Sequence, residues 1–135
     1  MNLSVHLADA AQPDQFGKVS ALGLGWSQIA TPMPPHALVV FVEFDPSDVE
    51  QTHPFSVDLV DEDGQTVMVG GEQAFHGEGG IQMAMSMASA PGAPVVQAMA
   101  FPVPPGIALP PGRRWAYRVR CGDAFGSATF ATRAA

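Results

Sequence analysis

The side chains of this chain best suited to chemistry are acids and imidazoles lying between apolar runs. Asp9, Asp14, Asp45 and Asp48, with Glu50, His53, His76 and Glu78, fall in segments that read as loops. If successive strands run antiparallel, loops 9–16, 45–53, 76–80 and 104–112 collect at one end of the fold. Carboxylates from two or three loops supply the hard oxygen ligands that calcium takes, and loops are where sites commonly sit. Asp9, Asp14, Asp45, Asp48 and His53 are therefore the candidate metal ligands, with calcium as the ion. The competing reading is turn chemistry, since Asp45-Pro-Ser-Asp48 is a good turn in its own right. Asp61-Glu-Asp-Gly64 resembles a metal cluster by composition, but it reads as a hairpin turn at the opposite end from Asp45.

Other chemistries find less support. Zinc needs three or four nitrogen, sulfur or carboxylate ligands. His53 and His76 could meet Glu72 or Glu78, yet the chain has no His-x-His, no cysteine pair and no helical His-Glu motif. His6 and His36 fall on strands or strand edges, as surface or half-buried residues. Nucleophilic catalysis needs Ser, Cys or Thr beside a base, and no Gly-x-Ser-x-Gly elbow occurs. A small hydrolase would require a deep pocket joining His53 or His76 to an acid. Gly70-Gly71 and Gly77-Glu-Gly-Gly80 open no helix and precede no lysine, so they are not phosphate loops. No cofactor is expected.

The elements that must position these groups read as strands. Trp115, Tyr117, Val119 and Cys121 alternate with Arg114, Ala116, Arg118 and Arg120. Side chains of a strand point to opposite faces with period two, so the first set faces a core. Gly122-Asp123 is a two-residue hairpin turn, which sets Trp115 opposite Phe130 and Tyr117 opposite Ala128. Further strands are expected at Leu3–Leu7, Gly17–Ile29, Ala37–Phe44, Phe55–Leu59, Gln65–Val69, Ile81–Ala88 and Val95–Phe101, with Gly77, Gly79 and Gly80 in a loop. Met83, Met85, Met87 and Met99 suit a core face. Short strands broken by Pro and Gly, with no amphipathic helix, indicate an all-β fold: a single antiparallel β-sandwich over residues 1–135.

Composition narrows the partners. The chain has 135 residues, 47% hydrophobic and 14% charged, with a net charge of −7 and six basic residues. That balance argues against nucleic acid and against anionic membranes as partners. The one cysteine, Cys121, permits no intrachain disulfide and sits on the inward face of its strand. The N-terminus lacks a basic, apolar leader, and no window approaches the ~18 apolar residues of a membrane span. A cytoplasmic protein is expected.

Leu7-Ala-Asp-Ala-Ala11 and Gly17-Lys-Val-Ser-Ala-Leu-Gly-Leu-Gly-Trp-Ser-Gln-Ile29 resemble an uncharacterised family of small bacterial β-sandwich proteins. Pro35-His-Ala-Leu-Val-Val-Phe-Val-Glu-Phe44, Val57-Asp-Leu-Val-Asp-Glu-Asp-Gly64 and the Pro-Gly-x-x-Trp-x-Tyr-x-Val hairpin agree with it. The resemblance implies a compact immunoglobulin-like or C2-like sandwich and carries no activity to transfer. The functional expectation is a non-enzymatic protein-binding or assembly module, working through loop ends or an exposed sheet edge. Its partner would be another protein or a second copy of the chain. Arg114, Arg118 and Arg120 form a candidate partner-binding stripe, or else the charged guard of an edge strand. A calcium-dependent binder at the acidic loops is the second class and a small hydrolase the third.

Overall fold

The computed structural model describes residues 1–15, 17–82, 93 and 95–135. Its strands are β1 (Asn2–Ala8), β2 (Ala10–Pro13), β3 (Val19–Leu22), β4 (Gln28–Thr31), β5 (His36–Phe44), β6 (Thr52–Val60), β7 (Met68–Val69), β8 (Gln73–Ala74), β9 (His76–Gln82), β10 (Val95–Val103), β11 (Arg114–Cys121) and β12 (Ala124–Ala134). Two sheets make an all-β sandwich: three strands in the order β1-β5-β10, and five in the order β4-β12-β11-β6-β9. Pairing is antiparallel except that β4 runs parallel to β12. Two small hairpins, β2–β3 and β7–β8, are added.

The core is the set of inward-facing alternate residues. Leu38, Val40, Val42 and Phe44 of β5 and Val5 and Leu7 of β1 meet Phe55, Leu59, Trp115, Tyr117, Val119, Cys121 and Phe130 of the larger sheet. The expected hairpin register holds, with Trp115 opposite Phe130 and Tyr117 opposite Ala128. Tyr117 faces a small residue on β12, and its ring stacks on that of Phe130 at 5.5 Å. The outward face of β5 is also apolar, because the β2–β3 hairpin packs on β5 and β10 and Ala37 and Val39 are buried.

The two sheets do not close equally on their two sides. On one side β1 packs against β12. There Gly126 is required by close approach, since a Cβ would run into the Leu3 side chain and carbonyl. On the other side, among the described residues, the edges are β9 and β10, and no described strand closes the sandwich between them.

Several expectations change. Gly17–Ile29 is not one strand: Gly23 and Gly25 take positive φ and separate β3 from β4. His76–Gln82, expected as a loop up to Gly80, is a strand. Of Ile81–Ala88, Ile81 and Gln82 close β9, whereas Met83, Met85 and Met87 lie outside the described residues. Met99 is half-buried against the core. β11 is not an edge strand, because β12 and β6 flank it. His36, expected at the surface or half-buried, is buried.

Candidate functional site

The acidic loops do not gather at one end. Met1 donates its ammonium to Asp45 Oδ2 at 2.8 Å, so Asp45 and Asp48 lie at the start of β1. Asp9 follows the last residue of β1, and Asp14 accepts from the Lys18 backbone N–H in the β2–β3 turn. The length of β1, roughly 20 Å, separates the two groups. Because β1 and β5 are antiparallel neighbours, the chain between them leaves and returns at one end. Sorting the loops by strict alternation misplaces it. Each group also has local work. The Asp9 carboxylate folds over Gly23 where a Cβ would sit. The Asp45 N–H donates to Asp48 Oδ2 at 3.1 Å around the 3₁₀ turn. His53 is buried, and its Nε2–H donates to the Asp48 carbonyl at 2.8 Å. Asp9, Asp14, Asp45, Asp48 and His53 therefore cannot surround a single ion. Among the described residues, no group of three His, Cys, Asp or Glu is arranged to hold a metal.

His53 and His76 are likewise apart. His53 pairs with Ile81 on the inward face of β6–β9, while His76 pairs with Asp58 on the outward face. His76 Nδ1 meets Asp58 Oδ1 at 2.5 Å and Nε2 meets Glu78 Oε2 at 3.3 Å. The hydrogen bond to Asp58 first, then that to Glu78, raises the imidazole pKa above 6.5. Both nitrogens are committed to carboxylates, and no described hydroxyl or thiol is bonded to either.

The arginines share the outward face of β11, and Arg118 and Arg120 lie against their own molecule. Arg118 lies over Gly64, and the Arg120 guanidinium sits 5.5 Å from the Phe125 ring centroid. The Arg114 backbone N–H donates to Glu62 at 2.9 Å, joining β11 to the Asp61–Gly64 turn.

What the sequence reading missed is the groove on the open side, with a volume of ≈ 780 Å³. Its floor is apolar: Leu38, Phe55, Val57, Met99, Phe101 and Ile107. Phe55 and Phe101, one from each sheet, stack at 5.3 Å. The wall beyond β10 is held in place, since Gly106 N–H donates to the Met33 carbonyl and Met33 N–H to the Ile107 carbonyl. The opposite wall is β9. Register puts Gly77 opposite Val57 and Gly79 opposite Phe55, on the inward face. Neither contributes a side chain, and a Cβ at either would meet nothing within 4 Å. The groove exists because an edge strand covers its own core with two glycines. Among the described residues β9 pairs only with β6, so its other backbone edge borders the groove.

Residues 3–105 match the family of unknown function DUF6941. The chain belongs to that family. The match spans β1 to β10, the strands β9 and β10 on the two sides of the groove among them, while Gly106, Ile107 and the β11–β12 hairpin follow it. No curated protein matches the chain. Among the described residues of this DUF6941 member, no helix is long and apolar enough to cross a membrane.

Proposed function

We propose that this protein is a non-enzymatic, cytoplasmic protein-binding module that takes an extended segment of a partner protein along β9. One observation carries the reading: a strand edge and an apolar groove run side by side, with the inward positions Gly77 and Gly79 bare. An incoming strand finds main-chain hydrogen-bonding groups along β9. Its alternate side chains find the space above Phe55 and Val57. This is strand addition, in which the main chain supplies affinity and pockets for alternate residues supply selectivity. Binding is favoured over catalysis because the titratable cluster described at the groove, His76 with Asp58 and Glu78, presents no activated nucleophile. The lone cysteine is buried, which suits a reducing compartment.

The test is selection of random dodecapeptides displayed on phage against the purified chain and against Gly79→Val, which fills the groove above Phe55. Enriched peptides should carry apolar residues at alternate positions and lose at least tenfold in affinity for the variant. Failure to enrich, or equal binding to the variant, would overturn the reading. So would a dimer in light scattering that Gly79→Val dissociates, because the groove would then belong to a second copy.

A further inference from the structure

The outward face beside the groove has a charge order that bears on what the partner carries. Register across the larger sheet gives two rows. One runs Phe125, Arg120, Ser56, Glu78 from β12 to β9; the other runs Ser127, Arg118, Asp58, His76. The positive ends of these rows are turned away from β9. Arg120 borders the same shallow depression as Glu78, but its guanidinium lies over Phe125 on the far strand. Arg118 lies over Gly64. At the edge and on the strand beside it stand His76, Glu78 and Asp58, two carboxylates around one imidazole, so the cluster is net negative in either protonation state of the ring. The Glu78 side chain is 79% exposed and ends the row at the strand edge.

An added strand must place successive side chains on alternate faces. Its inward residues enter the groove beside Gly77, Gly79 and Ile81, and its outward residues lie beside His76, Glu78 and Gly80. We infer that the partner segment alternates apolar and basic residues, with the outward Lys or Arg seated beside Glu78. This rests on the groove reading above and adds the partner's charge pattern to it. An acidic outward residue would face Glu78 across the new strand pair, and like charges directly opposite are unfavourable. A basic residue continues the alternation of sign along the row and meets an overall acidic molecule on approach. Both carboxylates of the cluster take part. His76 can offset at most one of them, and its nitrogens are already occupied by Asp58 and Glu78.

The experiment uses three fluorescent octapeptides in which Val alternates with Lys, Gln or Glu, measured by anisotropy against the full chain. The Lys peptide should bind about two- to fivefold more tightly than the Gln peptide, and the Glu peptide more weakly than either, as expected for exposed cross-strand charge pairs. Glu78→Lys should reverse the order. Asp63→Lys, which changes net charge equally at the far turn, should leave it intact. If none of the three peptides binds, or all bind Gly79→Val as well as the parent chain, the groove reading itself fails. If all three bind the parent equally and lose affinity for Gly79→Val, the groove reading stands and the charge pattern is wrong. The charge pattern is also wrong if the order survives Glu78→Lys or reverses with Asp63→Lys.

Discussion

Replacing Gly79 by valine should stabilise the fold while closing the site, and the size of the effect can be worked from the groove. Gly79 does not take positive φ, and a Cβ there meets nothing within 4 Å. Strain is therefore absent. Losing the backbone freedom of glycine in a strand interior contributes roughly 0.5–1 kcal/mol. Two methyl groups then settle toward Phe55, the cross-strand neighbour. Full burial of valine gives about 1.5–3 kcal/mol, and about half of that is appropriate in a groove open on one side. The sum is about 1.3–2.5 kcal/mol, or about 4–9 °C in Tm for a chain of this size. Thermal melts by circular dichroism and urea midpoints at constant m would measure it. Two companions dissect the gain: Gly79→Ala reports the backbone contribution alone, and Gly79→Thr has the shape of valine with a hydroxyl in place of a methyl. The order expected is Val above Thr and above Ala. If valine lowers Tm, or gains nothing over alanine, there is no vacant apolar floor beneath Gly79 and the reasoning fails.

Five further outcomes follow from the same geometry. His36 donates from Nδ1 to the Pro34 carbonyl, so its Nε2 accepts from the Tyr117 hydroxyl at 2.7 Å; Tyr117→Phe should leave that buried nitrogen unpaired and cost about 1–3 kcal/mol by urea unfolding. Burial lowers the His36 pKa below 6.5, so the stability tied to its neutral form is complete above 6.5 and lost as pH falls; His36→Gln should flatten that acid limb, and an unchanged limb would refute it. The His76 pKa is raised, so its pairing with Asp58 and Glu78 contributes fully below 6.5 and is lost as pH rises through the raised value; the stability gap between the parent and His76→Gln should narrow over that rise, and a constant gap would contradict the pairing. Cys121 is buried and burial pushes its thiol pKa up, so Ellman's reagent should label it only on unfolding; millimolar calcium should leave Tm unmoved, because its candidate ligands stand at two ends of the sandwich.

The class of fold was legible because side chains wrote it twice. In β11 the inward residues Trp115, Tyr117, Val119 and Cys121 and the outward arginines give a period of two, and Gly122-Asp123 gives the turn. Those two local signals agree, so the register follows without any tertiary knowledge. Loop placement had no such redundancy. Assigning ends by alternation assumes that every apolar run crosses the sandwich once. Between β1 and β5 the chain instead forms the β2–β3 hairpin and the short β4 before it enters β5 beside β1. Nothing local in Gly17–Ile29 distinguishes a long strand from two short ones until Gly23 and Gly25 are seen at positive φ.

The groove was hidden for a different reason. Strand recognition rests on side chains that pack, and His76-Gly-Glu-Gly-Gly-Ile-Gln82 has almost none facing inward. Glycine in a strand loses entropy and buries nothing, which is why the segment reads as a loop. An edge strand held on one side by the β6 ladder can tolerate this, because the Phe55–Phe101 and Tyr117–Phe130 stacks supply the core without it. The one trace left in the sequence is the alternation of His76 and Glu78 with Gly77 and Gly79, polar outside and empty inside, ending at Ile81. A side-chain pattern can announce a core, but this site is made of the side chains that are missing. Its detection needs the register that sets Gly77 over Val57 and Gly79 over Phe55.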